Sequence, residues 1–364
     1  MGADDDSLKE RRRVARRSCR STLFGHGELK PREALARLVD EAGDEPDVYG
    51  EGGVLAELES EVADVLGKPA AVFMPSGILA QQCALRVWAD RRASRRVAVH
   101  GLSHLVVHEL DALETVHGLT LDQLTAERRP LLASDVAELP GHLAAVSVEL
   151  PLRDGGHRLP SSDELTALVE ACRDRGVPLH LDGARLWEST PYWQRTPAEV
   201  AALADSVYVS FYKGLGALAG AALAGEADLI AEARRWQRRC GGNLVSLLPY
   251  AVSARQGLRQ HLPRMSDYHD AAVAVAAAMV TEGFRIDPDP PHTNAFRVFA
   301  PHPAEQVNER LLTHLESSHE ALTAWFRPAQ LPGWSMTEFT VGAATCEHSP
   351  DQVARRAAAA ALTD

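Results

Sequence analysis

Between residues 70 and 211, short apolar runs alternate with longer segments of helical period, and this pattern restricts the fold more than any other feature. The runs at 70–74, 96–99, 143–149, 177–181 and 206–211 have strand length, and the intervals between them are too long for hairpin turns. Strands joined by helices pair in parallel through right-handed crossovers. The expected fold class is therefore α/β with a mainly parallel central sheet. Such sheets gather their ligands at the carboxyl ends of the strands. Beyond residue 265 the pattern changes to strand 295–299, helix 303–316, strand 336–343 and helix 350–362, which reads as a small C-terminal α+β domain. The expected division is an N-terminal arm at 1–45, a large domain at 46–265 and a small domain at 266–364.

The last of the parallel runs carries chemistry. Val207, Val209 and Phe211 alternate with Tyr208, Ser210 and Tyr212, and the strand leads into Lys213-Gly214-Leu215-Gly216. The chain contains four lysines (Lys9, Lys30, Lys68 and Lys213) against 34 arginines, so arginine supplies positive charge almost everywhere else. A primary amine at a dry strand end can lose its proton and condense with a carbonyl, which a guanidinium cannot do. A lysine reaching from a strand end to solvent is the plainer alternative.

Other strand ends supply complementary groups. After strand 70–74, Pro75-Ser76-Gly77-Ile78 turns into a helix, and such a turn with a helix N-terminus above it can cradle a phosphate. Strand 177–181 leads to Asp182-Gly183-Ala184-Arg185; an aspartate there must meet a cation or lose its charge. A Schiff-base lysine, a phosphate cup and a buried carboxylate for a pyridinium nitrogen are the three requirements of pyridoxal 5'-phosphate (PLP). His104 and Glu109 lie between these strands, and an imidazole near a pyridine ring can stack on it or move a proton. A core histidine satisfied by backbone is equally open for His104. His100, His108 and His117 have no zinc-type spacing, and no metal site is expected.

Composition narrows the partners. A formal net charge of −12 disfavours nucleic acid for the body of the chain. The basic run 9–20 is read as a solvated helix face near the N-terminus. Five scattered cysteines without CxxC spacing point to reduced thiols. No stretch reaches the length of an apolar membrane span, so no membrane role and a cytoplasmic location are expected.

Taken in order, Asp47-Val48-Tyr49-Gly50, Phe73-Met74-Pro75-Ser76-Gly77, His104 with Glu109, Glu149 followed by Gly155-Gly156, His180-Leu181-Asp182-Gly183-Ala184-Arg185 and Lys213-Gly214-Leu215-Gly216 resemble the threonine aldolase and β-eliminating lyase branch of fold-type-I PLP enzymes. The resemblance runs from about Asp47 to about Leu258. It implies the type I PLP-dependent transferase fold and PLP as cofactor. It also implies retro-aldol cleavage of a β-hydroxy-α-amino acid to glycine and an aldehyde, in a homodimer or homotetramer. It makes Lys213 the Schiff-base residue, Asp182 the pyridinium partner and His104 the ring-stacking, base-assisting residue. Ser76, Gly77 and Ile78 would lie at the phosphate, Arg185 at the substrate carboxylate or the cofactor, and Tyr49 and Ser21 at the substrate.

Departures from the family pattern touch the phosphate cup at one residue and otherwise the substrate side. Ile78 stands where a threonine is usual, and the Gly-Gly-Gly-Met-Arg-Gln stretch appears as Cys240-Gly241-Gly242-Asn243-Leu244-Val245. The last small-domain strand offers Glu338 instead of a carboxylate-binding arginine. Loss of that arginine, with repulsion by Glu338 added, would make L-threonine a slow substrate, the preferred one being a bulkier or differently functionalised β-hydroxy amino compound held by Arg185 alone. The alternatives are β-elimination or other chemistry at the same α carbon, on a substrate lacking an ordinary carboxylate clamp, and a non-catalytic binding protein on the same fold.

Overall fold

The computed structural model of the chain describes residues 3–27 and 30–363. They divide into two units, Arg32–Arg264 and a second made of Met1–Pro31 with Met265–Asp364.

The larger unit is built on a seven-stranded sheet of β1 (Ala70–Met74), β2 (Arg96–Val99), β3 (Thr120–Gln123), β4 (Ala145–Glu149), β5 (Leu179–Gly183), β6 (Ser206–Ser210) and β7 (Ala221–Gly225). Their spatial order is β1-β7-β6-β5-β4-β2-β3. Neighbours from β3 through β6 pair in parallel, whereas β7 runs antiparallel to both β6 and β1. Six strands thus point the same way and end at one edge. β5 and β6 are buried along their whole length, as central strands covered on both faces are.

Helix Gly77–Arg92 follows β1 and packs Leu79, Ala80, Cys83, Ala84 and Val87 against Val72, Tyr208 and Leu223 of the sheet. Ser76 caps it by accepting a hydrogen bond from the Leu79 N–H at 3.3 Å, and Ala93 ends it in the left-handed region. The segment 104–113, read from sequence as one helix, is instead His104–Val107 and Ala112–His117. Leu110 and Asp111 adopt φ of 52° and 54° between them, which no helix accommodates. The edge strand β3 has no counterpart in the expected strands, because Thr-Leu-Asp-Gln lacks an apolar run.

The second unit carries a four-stranded antiparallel sheet: β8 (Arg285–Asp287), β9 (Ala295–Ala300), β10 (Arg327–Pro328) and β11 (Ser335–Thr340), in the order β10-β11-β9-β8. Its helices are Met265–Thr281, Ala304–Ser318 and Pro350–Ala361. The N-terminal helix Ala3–Ser18 belongs to this unit: Arg11 pairs with Glu309 at 2.7 Å and Glu316 at 2.8 Å, and the Arg12 guanidinium lies 4.3 Å from the centre of the Trp325 ring. Part of the basic run is therefore spent on intramolecular ion pairs.

Glu338 sits on β11 directly opposite Arg297 of β9, and Arg297 in turn faces Asp287 of β8. Arg297 is buried. Opposite charges directly across a ladder attract, so the register sets a cation opposite Glu338 within its own sheet. This offers Glu338 a role within its own sheet.

Candidate active site

The carboxyl edge of the large sheet brings together the ends of β1, β2, β4, β5 and β6. Chain direction places there Ser76 and Gly77 after β1, His104 after β2, Glu149 ending β4, Asp182 near the end of β5 and Lys213 three residues beyond β6.

Lys213 lies in a turn whose approach to its neighbours is very close. The Gly214 N–H donates to Glu188 Oε1 at 2.8 Å, and a Cβ on Gly214 would stand 2.3 Å from that oxygen. Only glycine fits there. Burial pushes the Lys213 amine down to about 8, and the nearby Arg185 adds to this; the carboxylates of Asp182, Glu149 and Glu188 oppose it. The Nζ lies 5.8 Å from the centre of the Tyr212 ring.

Asp182 is buried, and burial pushes its carboxyl upward while the charges of Lys213 and His104 pull it down. Its Oδ1 accepts the Ala184 N–H at 3.1 Å, and its Oδ2 accepts from the Gln81 side-chain amide. These two charge-assisted bonds favour the anion. Glu149 accepts the His104 N–H at 2.9 Å and the Arg153 N–H at 3.3 Å, and burial followed by the Asp182 charge pushes its carboxyl up. Glu188 is buried as well, and desolvation raises it.

His104 is oriented by Glu109. Nδ1 stands 3.0 Å from Glu109 Oε1, and this bond raises the imidazole above its ordinary range. The proton on Nδ1 leaves Nε2 as the basic nitrogen of the neutral ring. Glu109 is itself pushed up by burial.

Arg185 is the N-cap of helix Leu186–Trp193 and is half-buried. Among the described residues its guanidinium makes no hydrogen bond or ion pair. A half-desolvated guanidinium in that position suits an anionic ligand group. At the phosphate cup, Gly77 is dictated by Tyr208, because a Cβ there would meet the phenol oxygen at 2.0 Å. Ile78 is 38% exposed on the first helical turn and brings no polar group.

The two expected substrate residues Tyr49 and Ser21 make hydrogen bonds of their own. Tyr49 is exposed, with φ of 51°, and its N–H donates to Val245 O at 2.9 Å. Its loop is tied down by Asp47, which accepts from Ser246 Oγ and from the Leu247 N–H, each at 2.6 Å. Ser21 belongs to the other unit, where its hydroxyl donates to Glu320 at 3.4 Å.

Gln81 and Glu188 were not legible as site residues. The available signal was positional: Gln81 follows Gly77 by four residues on a helix whose sheet-facing side is otherwise apolar, and Glu188 follows Arg185 by three.

The residues present fit PLP. A buried carboxylate, a half-buried lysine with a lowered amine and a capped helix N-terminus after β1 share one sheet edge, and these match the ring nitrogen, aldehyde and phosphate of that cofactor.

Comparison with known proteins agrees. The family model of the beta-eliminating lyases matches residues 30–301. Low-specificity L-threonine aldolase 1 of Arabidopsis thaliana is 25% identical over 300 residues, covering 79% of this chain and 84% of its own. The low specificity L-threonine aldolase of Escherichia coli K12 is 26% identical over 260 residues, covering 70% and 77%. Among solved structures, a Listeria monocytogenes EGD-E protein whose name carries a provisional L-allo-threonine aldolase assignment superposes with a TM-score of 0.89. It is 37% identical, over 96% of this chain and 98% of that one. The chain belongs to the beta-eliminating lyase family of PLP-dependent fold-type-I enzymes, in the branch that contains the threonine aldolases.

Proposed function

We propose that this lyase cleaves the Cα–Cβ bond of β-hydroxy-α-amino acids, threonine among them, to glycine and an aldehyde. The observation that carries the reading is the His104–Glu109 pair on the same sheet edge as Lys213 and Asp182. Retro-aldol cleavage needs a base for the β-hydroxyl proton, and an imidazole whose Nδ1 is fixed by a carboxylate keeps Nε2 ready to accept it.

PLP, when bound, supplies the electron sink for the pair released at the α carbon. Lys213 would hold its aldehyde carbon, the ionised Asp182 its ring nitrogen, and Ser76 with the Gly77 and Ile78 backbone its phosphate. Lys213, with an amine lowered to about 8, is partly unprotonated near neutral pH and is thereby competent to form and release a bond to carbonyl carbon. Arg185 would take the substrate carboxylate. The names of the aldolase relatives support the substrate class, threonine included.

We also propose that the enzyme works as a cytoplasmic homo-oligomer. Supporting this, Tyr49, Val48, Val245, Val107 and Leu110 are exposed apolar side chains on the large unit, Leu110 to 91%. Among the described residues no disulfide is formed, and no helix is long and apolar enough to cross a membrane.

The test is product analysis with L-threonine, L-allo-threonine and phenylserine. Stoichiometric glycine and aldehyde are expected, with the rate falling about a hundredfold or more in His104→Asn. A keto acid and ammonia as main products would instead establish elimination.

A further inference from the structure

Asp182 terminates a buried hydrogen-bond chain in which every proton can be assigned. It starts at the Trp88 indole, which can only donate, and whose Nε1 lies 2.9 Å from Ser206 Oγ. Ser206 then has one hydroxyl proton to give, and His180 Nδ1 is 2.8 Å away. Burial pushes His180 down to about 3, so the ring is neutral and, with Nδ1 accepting, carries its proton on Nε2. That nitrogen is 2.6 Å from Gln81 Oε1. The Gln81 amide is thereby oriented, its nitrogen toward Asp182 Oδ2. Ser206 and His180 are fully buried, and Gln81 and Asp182 nearly so, which excludes competing water.

The polarity has a consequence. A proton on Asp182 Oδ2 would point an O–H at the Gln81 nitrogen, which cannot accept it, and Oδ1 already accepts the Ala184 N–H. Turning Gln81 over would make His180 accept at Nε2 and donate from Nδ1. Ser206 Oγ would then receive two protons, with no acceptor in the chain for its own. The arrangement is self-consistent with Asp182 ionised.

We propose that the chain Trp88, Ser206, His180 and Gln81 exists to hold Asp182 as an anion, and that Gln81 is a positioning residue for the contact between Asp182 and the PLP ring nitrogen. The inference rests on the reading of Asp182 as partner of that nitrogen. Gln81 touches Asp182, not the cofactor; its effect is confined to a ligand with a ring nitrogen to pair.

The experiment compares two ligands on the purified full chain by equilibrium dialysis: PLP, and its analogue in which C–H replaces the ring nitrogen. Gln81→Met, of similar volume but without the amide, is expected to weaken PLP about tenfold or more, the worth of a charge-assisted hydrogen bond. Analogue binding is expected to change less than about twofold on the same grounds. Equal weakening of both ligands would mean a merely structural role and overturn the proposal, as would no change in either. Asp182→Asn is the reference. If it discriminates between the ligands and Gln81→Met does not, the relay inference fails alone; if it does not discriminate, the reading of Asp182 fails and takes the inference with it. A measurement on the wild type guards against a variant that does not fold: the ¹⁵N shifts of His180 should report a neutral Nε2–H ring from about pH 5 to pH 9. An Nδ1–H tautomer, or titration inside that range, would overturn the chain.

Discussion

The acidity of Lys213 is the property of this site most open to measurement. An ordinary lysine titrates near 10.5, and Lys213 is pushed down to about 8. The difference corresponds to about 3 kcal/mol against the charged form. At pH 7.5 about a quarter of Lys213 would be unprotonated, against about one part in a thousand for an ordinary lysine. Pulsed reductive methylation of the cofactor-free protein, read on the Lys213 peptide by mass spectrometry, should therefore show a reactivity midpoint near 8. Two variants should move it in opposite directions. Arg185→Met removes a cation and raises the midpoint; Glu188→Gln removes an anion while keeping an acceptor for the Gly214 N–H, and lowers it. Each shift should be on the order of half a unit or more. The linkage follows in sign: between about pH 8 and 10.5 the unfolded chain binds the proton that the folded chain has lost, so Lys213 makes stability rise with pH there. Lys213→Met should abolish that component. A midpoint above about 9.5, or both variants shifting it the same way, would refute the account of the site.

What could be read from sequence was what is encoded locally. Runs such as 70–74 and 206–210 lie in a sheet covered on both faces, so every position had to be apolar or small, and the strands were plain. Asp182 and Lys213 were legible because each breaks an apolar context at a strand end. The break at Leu110 and Asp111 was not, since leucine gives no signal for a left-handed backbone. Nor was the reversed direction of β7, which is a property of its neighbours. Gln81 and Glu188 were hidden for the same reason. A single polar residue on a helix reads as solvent-facing until the helix is laid on the sheet and the residue is found beside Asp182 or Gly214. The meaning of Glu338 likewise depended on register, because only the ladder pairs it with Arg297.

Three further outcomes are expected. In Glu109→Gln the hydrogen bond that raises His104 is weakened, so the acid limb of kcat/KM should move to lower pH; an unmoved limb would remove His104 from the role of base. Gly214→Ala forces a methyl group into the Glu188 carboxyl and should cost about 1–3 kcal/mol by urea denaturation, with loss of bound PLP; wild-type stability would contradict the close approach. The third concerns Glu338. Glu338→Arg would set two guanidinium groups opposite each other on β9 and β11, with Arg297 buried between that position and Asp287. Losing an attractive cross-strand pair and gaining a like-charge pair should cost about 2–3 kcal/mol in urea denaturation, and Glu338→Gln, which only removes the attraction, less. If instead Glu338 served to repel a substrate carboxylate, Glu338→Gln would leave stability untouched and raise kcat/KM for threonine. Loss of stability without that gain is the outcome expected of a residue that acts on Arg297 across the ladder.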